Sequence, residues 1–169
     1  MALNPQYDAI GKGFVQQYYI LFDDPAQRHN LVNMYNVETS FMTFEGTQLQ
    51  GAVKIMEKLN SLTFQKIGRI ITSVDSQPMF DGGVLINVLG QLNVFDDSKV
   101  PHAYLQTFVL KPIGNSFYVE HDIFRLTLHD CDDDPPHPYM QTFVLKPLGE
   151  SFFVQHDIFR LGIHDIAAA

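Results

Sequence analysis

The chain has 169 residues, 46% of them apolar and 14 of them Phe, which is the length of one domain with enough apolar side chain to bury a core and excludes a disordered class. Its formal net charge of −8 comes without a Lys/Arg stripe, so nucleic acid and anionic membrane surfaces are poor partners and a basic protein surface is a good one. A single cysteine, Cys131, excludes a disulfide framework; with no signal pattern at the N-terminus and no membrane-length apolar run, a cytosolic or nuclear location is expected.

Asn4-Pro5 predicts a helix start, and Ile10, Phe14, Tyr18, Leu21 and Phe22 form its apolar stripe up to Asp23. Asp24-Pro25 repeats the start signal, with Leu31, Val32 and Tyr35 supporting a shorter second helix. Phe41 to Phe44 reads as a strand ending in a turn at Glu45-Gly46. Val53, Met56, Leu59 and Leu62 predict a third helix after Gly51. The β-branched run at 70–74 then favours a strand, Asp81-Gly82-Gly83 a hairpin turn, and the alternation of Val84, Ile86, Val88, Leu92 and Val94 a strand with one buried face.

The C-terminal part spells one stretch twice. His102 to Asp130 and His137 to Asp165 differ at eight of twenty-nine positions, and each copy reads as a hairpin turning at Gly114-Asn115 or Gly149-Glu150. An acidic, proline-rich segment, residues 131–138, joins them. A solenoid would need at least three such units, so this is a duplicated hairpin on one domain: residues 1–130 as the domain, 131–169 as linker plus second copy. Both copies compete for one place in a sheet. Closing with the first needs a loop of six residues and with the second forty-one, a difference of roughly 1.5–2 kcal/mol in favour of the first. The second is therefore expected to be peripheral. Helices followed by long antiparallel strands predict an α+β layout, a bent antiparallel sheet around helices forming a cone with an apolar mouth.

Little in the chain suggests chemistry. His121/His129 and His156/His164 recur because the segment is duplicated and lack further ligands at metal spacing, and Cys131 sits among acids that disfavour a thiolate. No phosphate loop or nucleophile elbow occurs, so no metal, cofactor or catalytic residue is expected.

In order and spacing, FVQQYYILFD at 14–23, MTFEG at 42–46, LQG at 49–51, MEKLNSLTFQKI at 56–67, DSQP at 75–78, VLGQL at 88–92 and HDIFRLTLHD at 121–130 resemble the nuclear transport factor 2 family. The resemblance implies an α+β cone of the cystatin-like kind and a homodimer that carries the GDP-bound GTPase Ran through the nuclear pore, so that the protein is found in cytoplasm and nucleus and enriched at the nuclear envelope. It implies that Phe44 and Glu45 at the cavity rim bind Ran together with Asp96 and Asp97. Asp132 and Asp134 would take that part if the second copy replaced the first. It further implies that Phe64, Phe124 and Tyr18 line the cavity, that Tyr7 receives Phe-Gly repeat nucleoporins, and that Ile123 and Val88 lie in the dimer interface. The alternative on the same fold is an isomerase- or dehydratase-like enzyme using Asp122 with His121, or Tyr18, within the cavity. His121 and Asp122 are neighbours on a strand and point to opposite faces, which counts against that pair.

Overall fold

The computed structural model describes residues 3–63, 67–94, 101–127 and 139–162. Helix α1 (Tyr7–Asp23) buries Val15, Tyr18, Tyr19 and Phe22 along one stripe. The Asn4 side chain accepts the Gln6 N–H at 2.9 Å, so the Asn-Pro pair forms the turn before the helix rather than its first residues. The helix ends where Asp24, preceding Pro25, takes extended backbone. The second helix expected from sequence is a short 3-10 helix, Arg28–Met34, that buries Leu31 but leaves Val32 exposed.

Strands β1 (Phe41–Phe44) and β2 (Thr47–Gln50) form a hairpin, of which the sequence showed only the first strand. Helix α2 (Ala52–Asn60) follows and buries Ala52, Ile55, Met56 and Leu59; Val53, expected on its apolar face, is exposed. Strands β3 (Ile67–Pro78), β4 (Val84–Val94), β5 (His102–Ile113) and β6 (Ser116–Thr127) complete a six-stranded sheet in the order β2-β1-β6-β5-β4-β3. Every pairing is antiparallel except β1 with β6, which run parallel, so the sheet is mixed rather than purely antiparallel. Bulges between Ile71 and Ser73 and between Val109 and Leu110 bend the sheet around the helices. At Gly11 an added Cβ would lie 2.2 Å from the Ser76 hydroxyl, so the missing side chain is what lets α1 lie this close to β3.

The sheet has two faces with different fates. The inner one, with Val84, Ile86, Val88, Tyr104, Phe108, Leu110, Val119 and Phe124, closes on α1 and α2 in one core. Val88 therefore points at the helices, which corrects its expected place in a dimer interface; the residues of β4 that face outward are Leu85, Asn87 and Leu89. The second copy, β7 (Tyr139–Leu148) paired with β8 (Ser151–Leu161), is a separate two-stranded sheet lying on that outer face. Met79, Leu85, Val109 and Ile158 form a small buried cluster between the two.

Among the described residues, one carboxyl group lies within the inner core. Asp122 has no exposure and accepts hydrogen bonds from Tyr35 at 2.8 Å, Gln106 at 2.8 Å and Tyr18 at 3.1 Å. Burial pushes its pKa up to about 6, and the three donors hold it back from rising further. The folded chain thus binds a proton that the unfolded chain releases near its ordinary value of 3.8, so this group's contribution to stability is full below that value and is lost as pH rises through about 6. We expect wild type to lose up to roughly 3 kcal/mol relative to Asp122→Asn between about pH 4 and pH 7, with the two curves parallel above that range. Urea melts of both chains across the range check this; parallel curves throughout would mean the carboxyl is not perturbed.

Candidate functional site

The turn between β1 and β2 carries the aromatic-Glu-Gly stretch. Phe44 pairs with Thr47, leaving Glu45 and Gly46 as a two-residue loop with φ of 49° and 84°. Positive φ at both positions matches the right-handed twist of a hairpin, and Gly46 meets it freely while Glu45 does so at a steric cost. The strained residue is tied down by the neighbouring strand. Its N–H donates to the Phe124 carbonyl at 3.1 Å, its carboxylate accepts the Leu126 N–H, and Arg125 lies 3.9 Å from its other oxygen. The parallel pairing of β1 with β6 brings these groups together, joining Phe44 to Phe124 across eighty residues of sequence.

Beneath the turn the Phe44 ring stacks on Phe124, centroids 4.8 Å apart and planes 12° from parallel. Phe124 in turn stacks on Tyr104 at 5.9 Å, and Tyr104 meets Tyr19 edge-on at the same distance. The Lys58 ammonium of α2 lies over Phe44 at 5.4 Å. This is an aromatic column running from the rim inward, with a carboxylate and two cations at its outer end. The rings themselves are buried, so what the site shows at its surface is a charge pattern over an aromatic stack, and among the described residues no nucleophile or base is set against it.

The remaining expected residues divide. Tyr18 and Phe124 are in the core beside one another's neighbours. Ile123 is exposed on the outer face. Tyr7 is half-buried at the start of α1 and lines a groove of about 380 Å³ with Asp8, β3 from Val74 to Gln77, and Asp157, Ile158 and Phe159 of β8. Phe64, Asp96, Asp97, Asp132 and Asp134 lie outside the described residues. The enzyme alternative loses its dyad: Asp122 is sealed inside, while His121 stands on the opposite face against Phe41 at 6.0 Å. Tyr18 does meet Asp122, yet both are fully buried in the core, where the carboxyl's partners are side chains of the protein itself.

Sequence reasoning missed Arg125 and Lys58, both of which touch the rim. Arg125 stands inside the quoted stretch HDIFRL, but only the strand order reveals that it faces Glu45. A second missed feature is an open groove of about 560 Å³ along the β1–β2 edge, lined by Phe41, Leu49, Lys54 and His121 among others.

The chain matches the nuclear transport factor 2 (NTF2) domain over residues 10–126. It is 46% identical over 121 residues to nuclear transport factor 2 of Saccharomyces cerevisiae and 45% identical over 125 residues to that of Candida glabrata, covering 94% and 97% of those proteins and 71% and 73% of this chain. The solved structure of nuclear transport factor 2 from Cryptosporidium parvum superposes with a TM-score of 0.69 at 41% identity, covering 75% of this chain and 99% of that one. Structures bearing dehydratase names share 11% and 8% identity and show the fold alone. The matched region stops before β7, so the second hairpin is an addition to the shared domain.

Because Phe44 is a stacked, 8%-exposed core residue as well as a rim residue, its truncation is a stability experiment first. Phe44→Ala should lower unfolding free energy by about 3 kcal/mol, and Phe44→Leu by about 1 kcal/mol. Denaturant melts of both check this; a loss under about 0.5 kcal/mol for the alanine variant would show that the ring carries no packing.

Proposed function

The chain belongs to the nuclear transport factor 2 family and has a role in nuclear transport, and from that premise we propose that it carries GDP-bound Ran into the nucleus by binding alone. The observation that carries the reading is the geometry of the β1–β2 turn: a carboxylate held at a strained position by Leu126 and Arg125, on the residue that follows the stacked Phe44. An apolar side chain of the partner would pack against the aromatic end, and basic side chains around it would meet Glu45. Buried apolar contact supplies most of the affinity of such an interface, while rim charges set orientation and on-rate. The overall charge of −8 adds long-range attraction for a basic surface. Asp96 and Asp97, outside the described residues, are proposed as further acidic contacts.

Passage through the pore then needs weak, fast contacts with Phe-Gly repeats, for which the groove beside Tyr7 is the proposed place. Phe159 of β8 stands exposed in the same groove and gives a second aromatic contact. Self-association of the shared domain is assigned to the outer face of the sheet, where Ile123 is exposed and where, in this chain, β7–β8 already rests on part of the surface. With binding as the whole mechanism, the protein is proposed to move between cytoplasm and nucleus and to concentrate at the nuclear envelope.

Glu45→Lys should abolish capture of GDP-loaded Ran in a pull-down, a loss of about 30-fold or more in affinity, without lowering the melting temperature by more than a few degrees. GTP-loaded Ran serves as the control that should not bind. Unchanged capture by the variant would overturn the site. Arg125 competes for the same carboxylate, so Arg125→Ala should leave capture intact or strengthen it a few-fold.

A further inference from the structure

The second hairpin lies on the sheet in a particular way: against its own template. The side chains it turns toward the sheet are Met140, Thr142, Val144, His156, Ile158 and Arg160, as shown by their burial and by their partners on β3, β4 and β5. Thirty-five positions earlier these are Leu105, Thr107, Val109, His121, Ile123 and Arg125, the residues that β5 and β6 present on the sheet's outer face. Equivalent residues meet. The Thr107 and Thr142 hydroxyls are 3.4 Å apart and share the Asn87 side chain, and Val144 packs on the cluster that holds Val109. A residue touching its own counterpart is the signature of a contact around a two-fold axis, here between two copies within one chain.

We propose that the second hairpin occupies, in its own chain, the place that the β5–β6 hairpin of a second molecule would take, and thereby keeps this face from pairing with another copy. The surface that receives β7–β8 has chemistry complementary to a hairpin of nearly its own sequence, since twenty-one of twenty-nine aligned residues are identical. The same face on a second molecule offers the same groups. Polar contacts seat the copy at its margin: Arg160 pairs with Asp75, Gln77 donates to the Asp157 carbonyl at 2.9 Å, and His156 meets Gln77 at 3.1 Å. Joined by only residues 128–138, the hairpin presents itself at an effective concentration on the order of millimolar, so at about 10 µM protein it outcompetes a second molecule of equal affinity by about 100-fold. The seating also builds the Tyr7 groove, because β8 supplies one of its walls.

The test reads contact at this face alone, in a Cys131→Ser background, and involves no Ran. The shortened chain 1–130 is a fair comparison, because among the described residues the main core holds none beyond Leu126 and the family match spans residues 10–126. Under mild oxidant, Thr107→Cys in the shortened chain should cross-link two molecules across the axis. The same substitution in the full chain should give at least about ten-fold less cross-linked dimer, as cis competition requires. Thr107→Cys with Thr142→Cys in the full chain should close internally and migrate as a monomer on non-reducing gels. A full chain that cross-links between molecules as readily as the shortened one would overturn the proposal, as would a shortened chain that does not cross-link. Failure of Ran capture elsewhere would leave these gels unchanged.

Discussion

The apolar stripe of α1 can be covered by one hairpin, and two hairpins of nearly the same sequence compete to cover it. The copy that follows β4 directly closes the shorter loop, a loop-entropy advantage of roughly 1.5–2 kcal/mol that needs no difference in packing. Its inner face then meets Phe14, Tyr18, Tyr19 and Phe22, and its aspartate enters the polar network of Tyr18, Tyr35 and Gln106. Once that place is filled, the sheet is six-stranded, the helices are sandwiched within its bend, and the second copy has only the outer face to rest on. The order of the sheet, the burial of Asp122 and the covering of Leu85 and Asn87 all follow from which hairpin reaches α1.

The cost of that outcome is visible in the second copy. Phe108, Leu110 and Phe124 are 0%, 0% and 4% exposed; their counterparts Phe143, Leu145 and Phe159 are 51%, 54% and 57% exposed. Gln141 holds Asp157 at 2.9 Å much as Gln106 holds Asp122 at 2.8 Å, so the local polar pairing is reproduced without the core that surrounds it in the first copy. Identical residues therefore report tertiary context and nothing else. A two-stranded unit with one face bare is marginal in isolation, and its seating on the sheet through Ile158, Thr142 and Arg160 is what holds it.

The α1 stripe, the strands of the large sheet and both hairpins were legible in the sequence because apolar periodicity and glycine turns are local signals. The inward orientation of Val88 was legible too, since alternation with Val84 and Ile86 puts it on their face, and placing it in an interface contradicted that pattern. Helix α2 was found but its face was misjudged, because Val53 and Ile55 are both apolar and only packing against the 3-10 helix, through residues such as Leu31, decides between them. The parallel pairing of β1 with β6 had no local signal at all. Without it, Arg125 and Leu126 could not be placed against Glu45.

In the proposed reading, that pairing also suits the rim to recognition and not to chemistry. A catalytic carboxyl needs both a perturbed proton affinity and access to a substrate. Asp122 has the first, with its pKa raised by burial, but it is enclosed by Tyr18, Tyr35 and Gln106 with no exposed surface. Glu45 has the second, but its oxygens are taken up by a backbone N–H and by Arg125 at a solvent-facing turn. The two carboxylates thus divide the requirements between them, and neither meets both. What the arrangement retains is a negative charge fixed at the turn beside an aromatic column, tied down by the pairing of β1 with β6. A site of that kind gains from shape and charge complementarity and from rapid exchange, which is what a carrier must have to load on one side of a barrier and unload on the other.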